Sequence, residues 1–183
     1  MARQLRRPAT LFICFLLYSI LGWAYEVFLE VVVYRWGYSD RGILFGPYCP
    51  IYGCGALLLI TTLNNARRRP LRLGRLNLRP LFIFAAIILL TTAVELAGSY
   101  IMEWLTGGWM WDYTGRFLNF QGRICFDASL RFGLGGMIFL YVLQPLFERA
   151  LAPLSDRALL ISALLCEAIF DADIIATLLT RIF

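Results

Sequence analysis

The sequence contains no histidine and no lysine among its 183 residues. Histidine is the usual side chain for proton transfer and metal binding near neutral pH, so its absence argues against Ser-His catalysis and transition-metal chemistry. The five cysteines form no CxxC pair, and the zinc and redox motifs built on that spacing are therefore unsupported. We expect no catalytic residue, no metal site and no cofactor.

Apolar residues dominate instead. Hydrophobic residues make up 60% of the chain and the mean hydropathy is +0.70, well above the level of a soluble domain. Runs of about 20 apolar residues are long enough to cross the hydrocarbon core of a membrane. The sequence therefore predicts an all-α fold, a polytopic membrane helix bundle that forms a single domain over residues 1–183. The first apolar run is too long for a cleaved signal, and we expect it to remain as a helix.

The apolar runs predict five transmembrane helices, at about residues 8–34, 51–65, 80–106, 127–150 and 155–181. Prolines and glycines in residues 42–53 predict an irregular, re-entrant-like segment, which membranes tolerate only where protein or water covers the backbone. Pro145 is expected to kink the fourth helix.

The arginines predict the orientation of the helices. The loop of residues 66–79 holds six arginines and no acid. With the N-terminus inside, the cytoplasmic side carries eleven loop arginines and the outer side five, so the positive-inside rule favours N-in, C-out. The arginine-rich loop is expected to face anionic lipid headgroups, with a cytoplasmic partner protein as the alternative. The loop of residues 107–126 would then lie outside the cytoplasm.

This orientation places seven acidic side chains in or near the outer half of the predicted helices: Glu26, Glu30, Glu95, Glu103, Glu167, Asp171 and Asp173. A carboxylate in hydrocarbon costs about 2.5–3.5 kcal/mol even on insertion scales, so we infer a polar cavity open to the outer side. The alternative is that these acids only hydrogen-bond neighbouring helices. Arg131 could neutralise Asp127, four residues earlier, or reach Glu95 or Glu103 across the bundle.

The segment from Gly107 to Asp127, GGWMWDYTGRFLNFQGRICFD, has the composition of a binding site. We call residues 107–126 the aromatic loop. Its rings alone are explained by the aromatic belt of membrane proteins, but polar side chains alternate with them: Asp112, Arg116, Asn119, Gln121 and Arg123. Such a loop could cap an organic solute or present arginine to lipid phosphate.

Two smaller features concern packing. Cys49 and Cys125 are both expected on the outer side, where a disulfide can persist, although buried cysteine is more often an apolar filler. The glycines at 133, 135 and 136 predict close helix packing.

Three stretches of the sequence carry a family resemblance: YSILGWAYE (18–26), GILFGPYCPIYGCGA (42–56), and VELAGSY followed by WDYTGRFLNFQGRICF (94–126). They resemble the bacterial ABC transporter type IV proteins, the CmpB-like membrane permease family. The similarity covers about residues 10–136. Arg131 and Phe132 depart from the family pattern, and the acidic fifth helix lies beyond the matched part.

The resemblance implies a multi-pass permease of the bacterial inner membrane. Together with the helix and charge pattern, it leads us to expect a solute-capture protein without enzymatic activity that binds a small organic or cationic solute. The candidate binding residues are Glu26, Glu95, Trp111, Asp112, Tyr113, Asn119, Arg123, Arg131 and Glu167.

Two other functions stay open. One is a membrane-embedded enzyme acting on a lipid or lipid-linked substrate, with Asp112 or Glu26 as the general base. The other is a ligand-free scaffold or assembly protein whose acids pair internally. The expected partners are membrane lipids and a small-molecule solute, not nucleic acid. A separate ATPase or other membrane subunit is left open because the chain has no P-loop, and so is a homo-oligomer.

Overall fold

The computed structural model describes residues 2–68, 70–74, 76–109 and 111–182. Arg69 and Arg75 of the arginine-rich loop lie outside the described residues, as does Met110 of the aromatic loop. The helices are α1 (Ala2–Phe28), α2 (Pro50–Arg67), α3 (Arg79–Thr106), α4 (Phe126–Ile138), α5 (Gln144–Leu151) and α6 (Asp156–Thr177). Two short strands, β1 (Arg72–Leu73) and β2 (Leu76–Asn77), form an antiparallel hairpin between α2 and α3.

The all-helical class predicted from the apolar runs is confirmed. In the described part of the chain, three helical stretches are long and apolar enough to cross a membrane: Leu5–Val33, Arg79–Trp104 and Phe126–Leu151. At 1.5 Å per residue, each of these stretches exceeds the roughly 30 Å hydrocarbon core. The chain is therefore a membrane protein by the length and composition of these three helices.

Three π-helical turns extend or connect the α-helices. Leu29–Val33 continues α1, Phe139–Leu143 joins α4 to α5, and Leu178–Ile182 continues α6. The middle turn ends just before Pro145, whose ring and missing N–H disturb the hydrogen bonds of the preceding helical turn. Proline thus accounts for the irregular helix at this position.

The chain divides into two compact units, Met1–Leu57 with Phe147–Phe183, and Leu58–Leu146. In the first unit, α1 packs along α6. Ala9 of α1 meets Leu159 and Ala163 of α6, all three of them buried. Arg6 lies 2.6 Å from Asp156 across the same pair of helices. Small apolar residues therefore allow close approach, and an ion pair fixes one end.

The second unit is built on the packing of α3 against α4. Ile83, Ile87 and Leu140 are completely buried. A Cβ atom added to Gly133 would lie 2.6 Å from Ile88 Cγ1, and one added to Gly136 would collide with Ile87. These two glycines make the close approach of the helices feasible. Gly135, by contrast, faces open space.

Candidate functional site

The aromatic loop folds back on itself through backbone hydrogen bonds. α3 ends at Thr106. Gly107, which follows it, has φ +78° and donates its N–H to the carbonyl of Glu103 at 2.9 Å. Farther along, the N–H of Tyr113 bonds the carbonyl of Gly122 at 2.8 Å, and the N–H of Phe120 bonds that of Ile124 at 2.9 Å. The loop is therefore a small folded structure that can hold side chains in fixed positions.

Glu95 is the acid whose bonding is incomplete. Its side chain lies in the middle of α3 and is 7% exposed. Oε1 accepts a hydrogen bond from the hydroxyl of Tyr113 at 2.9 Å. Oε2 is buried and has no hydrogen-bond partner among the residues that the structure describes. A buried carboxylate oxygen left without a donor is costly, which makes this atom the strongest candidate for binding something outside the chain.

Burial and the charge of Glu95 explain why Tyr113 is a donor here. Burial of its ring, followed by the negative charge of Glu95, raises the pKa of Tyr113 well above its usual value. The phenol therefore keeps its proton and donates it toward the carboxylate. The predicted residues Glu95 and Tyr113 are thus brought into direct contact.

Among the described arginines of the second unit, Arg123 is the most enclosed, with 5% of its surface exposed. Its guanidinium carbon lies 3.9 Å from the ring centre of Trp109 and 4.2 Å from that of Tyr100. It also pairs with Glu103 and donates to the hydroxyl of Ser99 at 3.3 Å. Cation–π contacts on two rings are strong where water is excluded. Arg123 therefore fastens the aromatic loop to α3.

Trp111, Asp112 and Asn119 mainly hold the loop in shape. The indole of Trp111 donates to the carbonyl of Arg123 at 2.8 Å, and Asn119 bonds the carbonyl of Arg116 at 2.9 Å. Asp112 Oδ1 accepts from the backbone N–H and the hydroxyl of Thr114 at 2.8 and 2.6 Å.

The bonds from Thr114, first from its hydroxyl and then from its N–H, hold the pKa of Asp112 below its usual value of 3.8. A carboxylate with a lowered pKa is a weaker base. Catalytic bases work best with a pKa near the working pH. Trp111 and Asp112 also line an open hollow of about 390 Å³ with Gly108 and Trp109. Trp111 and Asp112 can shape an entrance, but the carboxylate of Asp112 is poorly suited to proton abstraction.

Arg131 pairs with Asp127 in its own helix and acts electrostatically on Glu95 of α3. It donates to Asp127 Oδ2 at 3.1 Å, and Arg116 approaches the same carboxylate at 4.0 Å. The ion pair gives the local neutralisation of Asp127, and the charge of Arg131 also acts on Glu95, so Arg131 takes part in both interactions that the sequence allowed.

In the first unit, Glu26 and Glu30 of the α1 region bond to the segment that follows it. Glu26 accepts from the hydroxyl of Tyr52. Glu30 is 6% exposed and accepts from the hydroxyl of Ser39 at 2.7 Å and from Arg41 at 3.0 Å. These acids hold the residues 34–52 close to α1.

The acids of α6 behave differently from one another. Asp173 accepts from the N–H groups of Phe45 and Gly46 at 3.0 and 2.7 Å, and from the hydroxyl of Tyr48. It therefore ties the Gly-Pro segment to α6. Glu167, a predicted binding residue, is exposed within this unit, as is Asp171.

The cysteines are free. Cys49 Sγ lies 3.7 Å from the carbonyl of Arg41, within the first unit, whereas Cys125 Sγ lies 3.0 Å from Asp127 Oδ1, within the second. No disulfide therefore joins Cys49 to Cys125 in the structure.

A family model described as Putative ABC-transporter type IV matches residues 13–178. The chain belongs to this ABC-transporter type IV family. The match runs from α1 to the end of α6, and so extends beyond residue 136, where the recognised motifs stop, to include Glu167 and Asp173. No curated protein and no solved structure matches the chain.

Apart from the pair of Asp127 with Arg131, sequence analysis did not identify the partners of the charged residues. Tyr48, Tyr52 and Tyr100 each place a hydroxyl or ring against a charged side chain. The first two stand in the motif GPYCPIYG, so tyrosines beside a Gly-Pro turn were the available signal. Their pairing with particular acids depends on tertiary contacts and could not be read from spacing.

Proposed function

We propose that this ABC-transporter type IV protein is a permease or solute-capture subunit that binds a small organic cation at Glu95. The observation that carries the proposal is the buried Oε2 of Glu95, which lacks a described hydrogen-bond donor. Its other oxygen is held by Tyr113, so the carboxylate has a fixed direction. Family membership supports a transport-related role in a membrane.

The wider arrangement follows the sequence prediction. The protein would cross the bacterial inner membrane five times, N-in and C-out, with α2 and α6 as the two further spans. Trp111 and Asp112 would form the entrance, Asn119 and Arg123 would keep the loop folded, and Arg131 would balance charge near it. Glu26 and Glu167 would carry negative charge within their own unit, and the proposed energy source is a separate ATPase.

Binding of tetramethylammonium and guanidinium to the purified protein in nanodiscs tests the proposal, with a neutral polyol as the reference probe. Quaternary ammonium ions suit a carboxylate beside aromatic rings. We expect Glu95→Gln to weaken cation binding at least about tenfold, since the charge is lost while an acceptor for Tyr113 remains. Asp171→Asn removes an exposed acid of the other unit and should bind as the unchanged protein does. Equal cation binding by the Glu95→Gln variant would refute the role of Glu95.

The scaffold function is the second candidate, because most of the acids have partners inside the chain. Glu26, Glu30, Glu103, Asp127 and Asp173 each accept hydrogen bonds or pair with arginine. A scaffold would bind none of the probes, and its Tyr113→Phe variant would lose about 1 kcal/mol of stability without any other change. Reporter fusions in the hairpin and at Leu118 would test the N-in, C-out orientation, which places the hairpin in the cytoplasm and Leu118 outside it.

A further inference from the structure

The hairpin between α2 and α3 has one face made of leucines. Arg72 pairs with Asn77, and Leu73 pairs with Leu76. The N–H of Leu78 bonds the carbonyl of Leu71 at 2.8 Å, which continues the same register by one pair. Gly74, with φ +60°, makes the tight turn possible.

This register separates apolar from polar side chains. Cross-strand partners project from the same face of a hairpin, and the next pair projects from the other face. Leu73 and Leu76 therefore share a face with Leu71 and Leu78, whereas Arg72 and Asn77 lie on the opposite one. The side chains of Leu71, Leu73 and Leu76 are 44%, 69% and 67% exposed. A hairpin of two-residue strands does not cover these leucines itself.

The positive charge of the segment and its direct connection to a membrane-crossing helix indicate what covers the leucine face. Residues 66–79 contain six arginines and no acid, and Arg72 is exposed on the hairpin. The membrane-crossing stretch Arg79–Trp104 starts two residues after β2. Its 26 residues extend roughly 39 Å, longer than the hydrocarbon core, so its first turn reaches the headgroup layer.

We propose that this hairpin inserts its leucine face into the anionic headgroup layer of the membrane that α3 crosses. The leucines would lie at the boundary of headgroups and acyl chains, as in other interfacial amphipathic segments. The arginines would bind the lipid phosphates. The hairpin is thus a membrane-surface anchor, and this conclusion is independent of any solute site at Glu95.

Spin labels on two adjacent residues test the anchor in the full chain. Cys54 is exposed and Cys166 is partly exposed, so both are first replaced by serine. Leu76→Cys and Asn77→Cys then place one label on each face of the hairpin. The protein is reconstituted into vesicles of phosphatidylcholine with phosphatidylglycerol, or of phosphatidylcholine alone, and collisions with oxygen and with a water-soluble nickel complex are compared.

In anionic vesicles the label at Leu76 should favour oxygen and exclude nickel, while the label at Asn77 should remain open to nickel. Replacing Arg72 with Gln should lower the ratio of inserted to water-exposed hairpin roughly fivefold, because one arginine near an anionic surface contributes about 1 kcal/mol. Raising the salt to about 1 M should act in the same direction, because the Debye length falls to about 3 Å.

Three results would overturn the proposal. Equal access of nickel to both labels in anionic vesicles would mean that the leucine face stays in water. Equal protection of Leu76 in neutral and anionic vesicles would remove the role of the arginines. Protection of Leu76 in detergent that persists at high salt would mean that protein, such as a second copy, covers the leucines.

Discussion

Replacement of Arg123 by alanine is the most direct test of how the aromatic loop is held to α3. The guanidinium contacts the rings of Tyr100 and Trp109, and each such contact contributes about 1 kcal/mol where, as at the 42% exposed Tyr100, water is only partly excluded. The ion pair with Glu103 adds only about 0.5–1 kcal/mol, because Glu103 is 44% exposed and screened by water. The expected loss is therefore about 3 kcal/mol.

This loss should appear as faster hydrogen exchange of the loop amides rather than as global unfolding. The N–H groups of Tyr113 and Phe120 are bonded inside the loop, and local opening exposes them. A loss of about 3 kcal/mol corresponds to a roughly hundredfold increase in their exchange rate. Exchange is measured on the protein in nanodiscs, with the amides around the fully buried Ile83 and Ile87 of α3 as an internal reference.

Two further variants separate the contributions. Arg116→Ala removes an arginine of the same loop whose side chain is 66% exposed, and exchange should change less than about twofold. Glu103→Gln keeps both ring contacts of Arg123 and should have an intermediate effect. If Arg123→Ala exchanges no faster than Arg116→Ala, then the ring contacts do not fasten the loop and our reasoning fails.

Two more predictions concern the same unit. Gly133→Ala should lower the stability by about 1–3 kcal/mol, because its new methyl group collides with Ile88. Gly135→Ala places its methyl group in open space and should be neutral or stabilising. Equal melting temperatures of the two variants would contradict this. The pKa of Asp112 is lowered in the folded loop, so its bonds to Thr114 stabilise the loop fully above the usual pKa of about 4 and are lost as the pH falls through the lower folded value. The amide shift of Thr114 in protein labelled with ¹⁵N-threonine should report this acid transition, and Asp112→Asn should abolish it.

The sequence predicted the helices better than the site because the two depend on different information. A long apolar run is a local property, and α3, predicted at 80–106, spans Arg79–Thr106. The start of α1 shows the limit of this reasoning. The first helix was predicted to begin at about residue 8, but helical residues precede Pro8 from Ala2, so a proline near the start of an apolar run does not by itself mark the first helical residue.

Side-chain pairing depends on contacts that are distant in the sequence. Arg131 was a candidate charge partner and Arg123 a candidate binding residue. The four-residue spacing from Asp127 to Arg131 was the pairing that could be read locally, and it is present. The position of Arg123 against two rings requires the loop to fold back over α3, which depends on Gly107 and on the bonds around Gly122. No periodicity in the sequence encodes that return.

The hydrogen bonds that the acids already accept reduce the number of residues that can bind a solute. A carboxylate that already accepts several donors gains little from a ligand, because the ligand must first replace those bonds. Glu30 and Asp173 are in this position, with bonds from Ser39 and Arg41 and from the segment around Gly46. Glu95 is buried and retains an oxygen without a described donor, so a cation would gain a charge-assisted contact there without breaking another. We therefore expect a binding site to centre on Glu95, while Glu30 and Asp173 hold segments of their own unit in place.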